Sequence, residues 1–347
     1  MVKKIFYFFF SLAFVSVLTA QTDYQIAAIA FYNFENLHDT VDDPIKNDAE
    51  FLPGGIKNYT GDVYRDKLSK LADVVSQLGV DHTPDGPAII GLAEIENVNV
   101  LRDFVKQPKI ASRNYTPILV EGPDRRGVDV GMLYNPKYFT PIKVKSLFVP
   151  LIRENGDTSF TRDILWVKGV LLNEVVHIFV NHWPSRRGGE EATNHLRKKA
   201  ASVCRGVIDS LLEVNPDTKI LVMGDLNDDP VNESVQKILN ARKDATKLED
   251  GQLFNPFAMY YQNGIGSLAW NNAWNLFDQI ILSQGWLNRE QSGFFYNQAE
   301  VFNRPFLTQK TGNFKGYPFR SYIGDEYTGG YSDHFPVLVY LVKKISN

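Results

Sequence analysis

The sequence predicts an α/β (α+β) protein in which two mixed β-sheets stack face to face with helices on their outer faces. Three observations carry that prediction. Apolar runs of strand length outnumber helical stripes, so sheets supply most of the core. Neighbouring strands are joined by links as short as the one between Leu172 and Val175, which suits mixed or antiparallel pairing better than a doubly wound parallel sheet. The 347 residues hold no linker and no internal repeat, so residues 21–347 are expected to form one domain of two packed layers of strands. Composition agrees, because 44% hydrophobic and 22% charged residues exclude a disordered or collagen-like chain. Cys204 is the only cysteine, which excludes an intrachain disulfide and a thiolate zinc site.

The first element is a leader. Lys3 and Lys4 precede an apolar run over 5–17, and Leu18-Thr19-Ala20 stands before Gln21. A basic start, a short apolar stretch and a small residue make a signal peptide of residues 1–20, so export to a periplasm or the extracellular space is expected. The run is shorter than the roughly 20 residues a spanning helix needs, and no cysteine follows it to carry a lipid, so no stable membrane anchor is expected. Loss of Lys3 and Lys4 takes the formal charge from −3 to about −5. Tight nucleic-acid modules carry a basic excess instead. An enzyme that touches an anionic substrate transiently, with a cation recruited to help, remains open.

Residues 26–31 read as a buried strand, and 38–61 as a loop rich in Asp, Asn, Pro and Gly. Leu68, Leu71, Val74, Val75 and Leu78 recur at helical spacing and predict a helix over 62–78. Short apolar runs predict strands at 87–93, 115–120, 128–134, 164–172 and 175–181. The clearest helix follows, with Ala192, Leu196, Ala200, Val203, Cys204, Val207, Ile208 and Leu211 on one stripe between Gly188-Gly189 and Asn215-Pro216. Cys204 lies within that stripe and reads as a small buried hydrophobe. Strands at 219–223, 276–282 and 335–342 complete the pattern, and 284–330 is aromatic, Gly-rich and irregular.

The chemistry sits where strands stop. One apolar run enters Asn33 with Glu35 and Asn36 beyond it, and a second enters Glu94. Others run into Asn181-His182 and into Asp225 with Asn227 close behind, while Ser332-Asp333-His334 stands before the last strand. Any one of these is an ordinary turn residue. Together they demand compensation, since buried carboxylates near one another repel. A hard divalent cation resolves that conflict, and the oxygen-rich, thiolate-free set Asn33, Glu94, Asp225, Asn227 and Asp333 fits Mg²⁺ or Mn²⁺, with Ca²⁺ also open. His182 and His334 can stabilise developing negative charge, and a carboxylate partner for such a histidine is offered by Asp278 or Asp129. His38, His82, His177 and His195 lack such settings and are expected on exposed or helix-face positions.

In this spelling the chain resembles the endonuclease/exonuclease/phosphatase family of deoxyribonuclease I-like metal-dependent phosphoesterases. Asn33 with Glu35-Asn36-Leu37, Glu94 in Gly91-Leu92-Ala93-Glu94, His182 in Asn181-His182-Trp183-Pro184, Gly224-Asp225-Leu226-Asn227, Phe277-Asp278-Gln279 and Ser332-Asp333-His334 appear in order. The resemblance implies a four-layer sandwich with the site at one edge. It implies Glu94 as principal metal ligand with Asn33 and Asp333 close by, Asp225 positioning and deprotonating water, and Asn227 orienting the water or the phosphate. It also implies His334 paired to Asp278 on a phosphate oxygen, and His182 near the leaving oxygen. Arg162, in Thr161-Arg162-Asp163, is similar to a family arginine that contacts phosphate, or else forms a surface ion pair. Glu35 stands where relatives carry Asp, Glu96 reads as a structural neighbour of Glu94, and Arg186 and Arg187 read as a solvated loop. The implied function is hydrolysis of a phosphodiester, with nucleic acid as substrate, or alternatively a phospholipid or small phosphoester. No protein partner is implied. Trp270, Trp274, Tyr260 and Tyr261 are expected mostly in packing.

Overall fold

The computed structural model describes residue 1 and residues 23–152, 156–270 and 272–345. The expected signal peptide therefore lies outside the described residues, Met1 excepted. Among the described residues no helix is long and apolar enough to cross a membrane.

The chain opens with β1 (Tyr24–Leu37), whose apolar run is buried on both faces, as a central strand requires. α1 (Gly61–Gln77) begins at Thr60, whose side chain accepts from Val63 N, and β2 (Ile89–Ile95), α2 (Val98–Phe104), β3 (Thr116–Leu119) and β4 (Asp129–Tyr134) follow. Next come β5 (Phe139–Leu147), a small ribbon of β6 (Leu151–Ile152) and β7 (Thr158–Ser159), then β8 (Ile164–Leu171) and β9 (Glu174–His182). The long α3 (Glu190–Val214) leads to β10 (Lys219–Asp225), β11 (Ala241–Arg242) and β12 (Leu253–Phe254). A hairpin of β13 (Leu268–Trp270) and β14 (Ala273–Asn275) precedes β15 (Asp278–Leu282) and β16 (Phe295–Val301). A ribbon of β17 (Tyr322–Ile323) and β18 (Glu326–Tyr327) comes before the final β19 (Val337–Lys344).

These strands make two large mixed sheets, ordered β16-β19-β1-β2-β4-β3 and β11-β12-β15-β10-β9-β8-β5. Each has a parallel pair at its centre, β1 with β2 and β9 with β10, flanked by antiparallel neighbours. Period-two alternation sorts the side chains of β10: Leu221 and Met223 join the core between the sheets, while Ile220 and Val222 face α3 with Ala200, Ala201, Cys204 and Ile208. α1 covers the other sheet through Leu68, Leu71, Val74 and Val75. The sheets approach closely at Gly91, where a Cβ would stand 2.4 Å from Met223 Sδ. The fold is thus the expected sandwich.

Three differences from the sequence expectations have physical causes. β5 was not expected because it is an edge strand: Ile142 and Val144 are exposed and Pro141 interrupts the ladder. β16, inside the irregular 284–330 stretch, is masked by a register shift between Tyr296 and Gln298. His38 and His177 are buried rather than exposed, because His38 stacks on Phe51 at 4.3 Å and His177 on Trp166 at 5.8 Å. His82 and His195 are exposed, as expected.

Candidate active site

The parallel pairing of β9 and β10 carries both strands to the same edge, where Asp225 lies beside His182. On the other side Asp225 pairs with Asp278 at the start of β15. Three functional side chains therefore come from adjacent strands in register. Gly224 is required just before this point, since a Cβ there would meet Asn181 O at 2.3 Å. β1 and β2 of the opposite sheet deliver Asn33 and Glu94 to the same place. Glu94 is an extra residue in β2, skipped by the register to both neighbours, and has φ of 62°. Glu35, Asn36 and Asn227 also have positive φ. A left-handed conformation costs a glutamate roughly 1–2 kcal/mol. Its recurrence at this one edge is the pattern of strain held at a functional site.

The side chains converge. Asn33 Nδ2 donates to Asp225 Oδ2 at 3.1 Å, and the backbone N–H of Asn227 donates to Asp225 Oδ1 at 3.0 Å. His182 Nε2 lies 3.4 Å from Asp225 Oδ2 and 3.8 Å from Glu94 Oε1. His334 Nδ1 bonds Asp278 Oδ2 at 2.6 Å, leaving its Nε2 4.0 Å from Asp225 Oδ2 and 3.9 Å from Asp333 Oδ1. Asp278, rather than Asp129, is thus the histidine's partner. Asp129 instead accepts from Gly122 N at 3.0 Å. Asp333 sits at the rim, held by Arg320 at 2.7 Å.

Burial sets the charge states. It raises the pKa of Asp225, an effect the His334 charge opposes and Asp278 reinforces. Burial disfavours the charge on His334, but the carboxylates of Asp278, Asp225 and Asp333 outweigh it and hold the imidazolium well above the usual histidine range. His182, buried and facing the charges of Arg162, Arg126 and His334, is pushed well below that range. One edge therefore holds a carboxylate of raised basicity, a cationic imidazole and a neutral one, the components of acid–base and anion-stabilising chemistry.

The donor set suits a hard cation that keeps its water. Glu94 Oε2 accepts from Asn36 N at 2.8 Å, and its Oε1 faces the cleft beside Asp225. Among the described residues no group of three His, Cys, Asp or Glu side chains is placed to hold an ion. Asn33 uses its oxygen for Glu35 N at 2.9 Å, so in this arrangement it chiefly orients Asp225. Asn227 Nδ2 donates to Trp183 O at 3.0 Å.

Other expectations need correction. Arg162 forms a buried ion pair, not a surface one: Nη1 reaches Asp124 at 3.1 Å and Nη2 donates to Trp183 O at 2.8 Å. Glu35 turns away from the cleft and accepts from Ser321 N at 2.6 Å and Tyr322 N at 3.2 Å. Arg186 is no free loop residue, since it donates to Asn227 O at 2.9 Å and lies within 3.3 Å of both Asp228 and Asp229; Arg187 is exposed. Glu96 is structural, accepting from Asp39 N at 2.6 Å. Trp270 and Trp274 are exposed, at 65% and 38%, rather than packed, although Trp274 stacks one face on Phe335; Tyr260 donates to Ala299 O. Sequence reasoning missed Ser267, whose hydroxyl donates to Asp278, and Lys67, wholly buried and bonded to Glu35 O and Ser321 Oγ. A lysine inside the α1 stripe region was the available signal for the latter.

A family model described as the Endonuclease/Exonuclease/phosphatase family matches residues 28–343. The chain belongs to the endonuclease/exonuclease/phosphatase family. Solved structures of this fold align over nearly the whole chain. D. rerio TDP2 complexed with a single-strand DNA product is 15% identical, with 91% of this chain and 98% of that one covered and a TM-score of 0.53. A Bacteroides thetaiotaomicron family protein is 16% identical over 94% and 98%, at 0.53. A mannosyl-6-phosphatase of the same bacterium is 15% identical over 91% and 99%, at 0.50. No curated protein sequence matches the chain. The six short motifs all lie within the matched residues.

Proposed function

We propose that this chain is an exported, metal-dependent phosphodiesterase acting on nucleic acid. The observation that carries the reading is the convergence of Glu94, His182, Asp225 and His334 on one cleft, with Asp278 fixing His334 from behind. Glu94 and Asp225 would hold a divalent ion, with Asp333 at the rim and Asn33 and Asn227 alongside. Bound there, the ion would supply Lewis-acid stabilisation of phosphoryl charge. Asp225, its basicity raised by burial, orients and deprotonates the attacking water. Asn33 and the Asn227 N–H fix that carboxylate through its two oxygens. His334 presents its Nε2 proton to a phosphate oxygen, and Asp278 holds the ring by Nδ1. Neutral His182 stands ready on the leaving-oxygen side.

Space at Asn227 and at Arg162 favours a diester over a simple monoester. One cavity of about 840 Å³ is walled by Asn227, Trp270 and Phe277, and another of about 620 Å³ adjoins Arg162. The exposed indole of Trp270 offers a face on which a base can stack, and the same fold in TDP2 carries a DNA product. Export follows from the leader at residues 1–20 and suits scavenging of extracellular nucleic acid.

The test is a panel of plasmid DNA, RNA, sphingomyelin, bis-p-nitrophenyl phosphate and mannose 6-phosphate, each with Mg²⁺, Mn²⁺ or Ca²⁺. Nucleic-acid cleavage that chelator abolishes is expected. Turnover confined to sphingomyelin or to the sugar phosphate would replace the nuclease reading.

A further inference from the structure

Beside the catalytic cleft lies a cavity that the chemistry above does not use beyond its inner wall. It has a volume of about 620 Å³, and Arg125, Arg126, Thr161, Arg162, Ser185 and Arg187 contribute to its lining. Among the described residues four guanidinium groups face two acids there, Asp124 and Asp157, in a chain of net charge −3. Asp124 is shared, 3.1 Å from Arg162 and 3.4 Å from Arg126. Positive charge is therefore left over.

The wall is also built to bind. Arg162 is 5% exposed and Thr161 3%, yet Arg162 Nε and Thr161 Oγ1 are buried without a hydrogen-bond partner. Buried donors left unmet cost stability unless a ligand satisfies them. Arg125 lies over the ring of Phe160 at 5.8 Å, an arrangement that holds a guanidinium in place while leaving its donors free. The cavity wall is tied to the reacting centre, because Arg162 and Asn227 donate to the same carbonyl, that of Trp183 next to His182.

We propose that this cavity is a second anion subsite, which takes a phosphate group carried on the same substrate as the phosphoester being cleaved. The inference rests on the phosphodiesterase reading and sharpens it. A neutral sugar would satisfy the unmet donors but not the surplus charge. The favoured class is thus a polyanionic phosphoester, an oligonucleotide or a nucleoside 3′,5′-bisphosphate derivative, over a lone phosphoester.

The experiment compares thymidine 5′-(p-nitrophenyl phosphate) with the same compound bearing a 3′-phosphate, using the full chain with Mg²⁺. The wild-type ratio of kcat/KM should favour the doubly charged compound by about tenfold or more, the worth of one charge-assisted contact of about 1.4 kcal/mol. In the double variant R125A/R126A the ratio should fall to near one, and in R125K/R126K most of it should return. Calorimetry with adenosine 3′,5′-bisphosphate against adenosine 5′-monophosphate supplies a readout independent of turnover. A bisphosphate advantage that the alanine variant loses supports the subsite even where neither ester is hydrolysed, in which case the hydrolytic reading alone falls. A wild-type ratio of one in both assays, or an advantage untouched in R125A/R126A, overturns the proposal.

Discussion

Replacing Asp278 by Asn removes one charge and almost no volume from the centre of the proposed mechanism. The carboxylate is wholly buried, accepts from Ser267 Oγ, and bonds His334 Nδ1 at 2.6 Å. An amide can keep that geometry, but the bond becomes neutral. Charge-assisted bonds contribute about 1.5–3 kcal/mol and neutral ones about 0.5–1.5, so the loss is roughly 1–2 kcal/mol. At 1.36 kcal/mol per decade this is about a 5–30-fold fall in kcat at the optimum. The pH profile changes as well. In the wild type the carboxylates hold His334 protonated well above the usual range, against the pull of burial. With Asp278 neutral its support for the imidazolium is gone, so the His334 pKa falls and the alkaline limb moves down, and the loss grows about tenfold for each further pH unit above the new value. The raised folded-state pKa also means that the pair stabilises the fold fully below the unfolded histidine value and loses this as pH rises through the folded one. The thermal deficit of Asp278→Asn should therefore be largest below about pH 6.5. The assay is kcat for bis-p-nitrophenyl phosphate from acid to alkaline pH with saturating Mg²⁺, alongside melting curves. An unmoved alkaline limb, or a rate within twofold of wild type throughout, would refute the pairing's role.

Three further outcomes follow from the packing and the charges. Burial lowers the His177 pKa from 6.5 to about 4, so the unfolded chain binds the proton first and stability falls as pH drops across that window. By linkage the full effect is at most about 3 kcal/mol, and His177→Gln should flatten that part of a urea-unfolding profile. Gly91→Ala should lower Tm through overpacking of about 1–3 kcal/mol, because its Cβ would meet Met223 Sδ at 2.4 Å. Gly206→Ala, exposed in α3 with nothing within 4 Å, should raise stability by up to about 1 kcal/mol in the same denaturation assay.

Much of the site was legible because strands end abruptly in polar residues. The runs into Glu94, His182 and Asp225 announce a common edge once the sheets are stacked, and the structure puts them there. What sequence could not supply is direction. Asp129 and Asp278 both begin strands, and only the pairing of β15 with β10 selects Asp278. Arg162 and Arg186 look alike as loop arginines, yet buried carboxylates claim both. The left-handed turn at Glu94 leaves no compositional trace, since it arises from a bulge against two neighbours at once. β5 hides because an edge strand with alternating lysines and exposed Ile142 and Val144 lacks a buried face to mark it.

The most direct measurement strips the purified chain of metal, restores Mg²⁺, and follows hydrolysis of bis-p-nitrophenyl phosphate by wild type and by Asp225→Asn at matched folding. Recovery in the wild type with a rate at least about 10³-fold lower in the variant is the predicted result, a barrier difference of about 4 kcal/mol. Equal rates in the two proteins, or turnover indifferent to the metal, would contradict the assembled site.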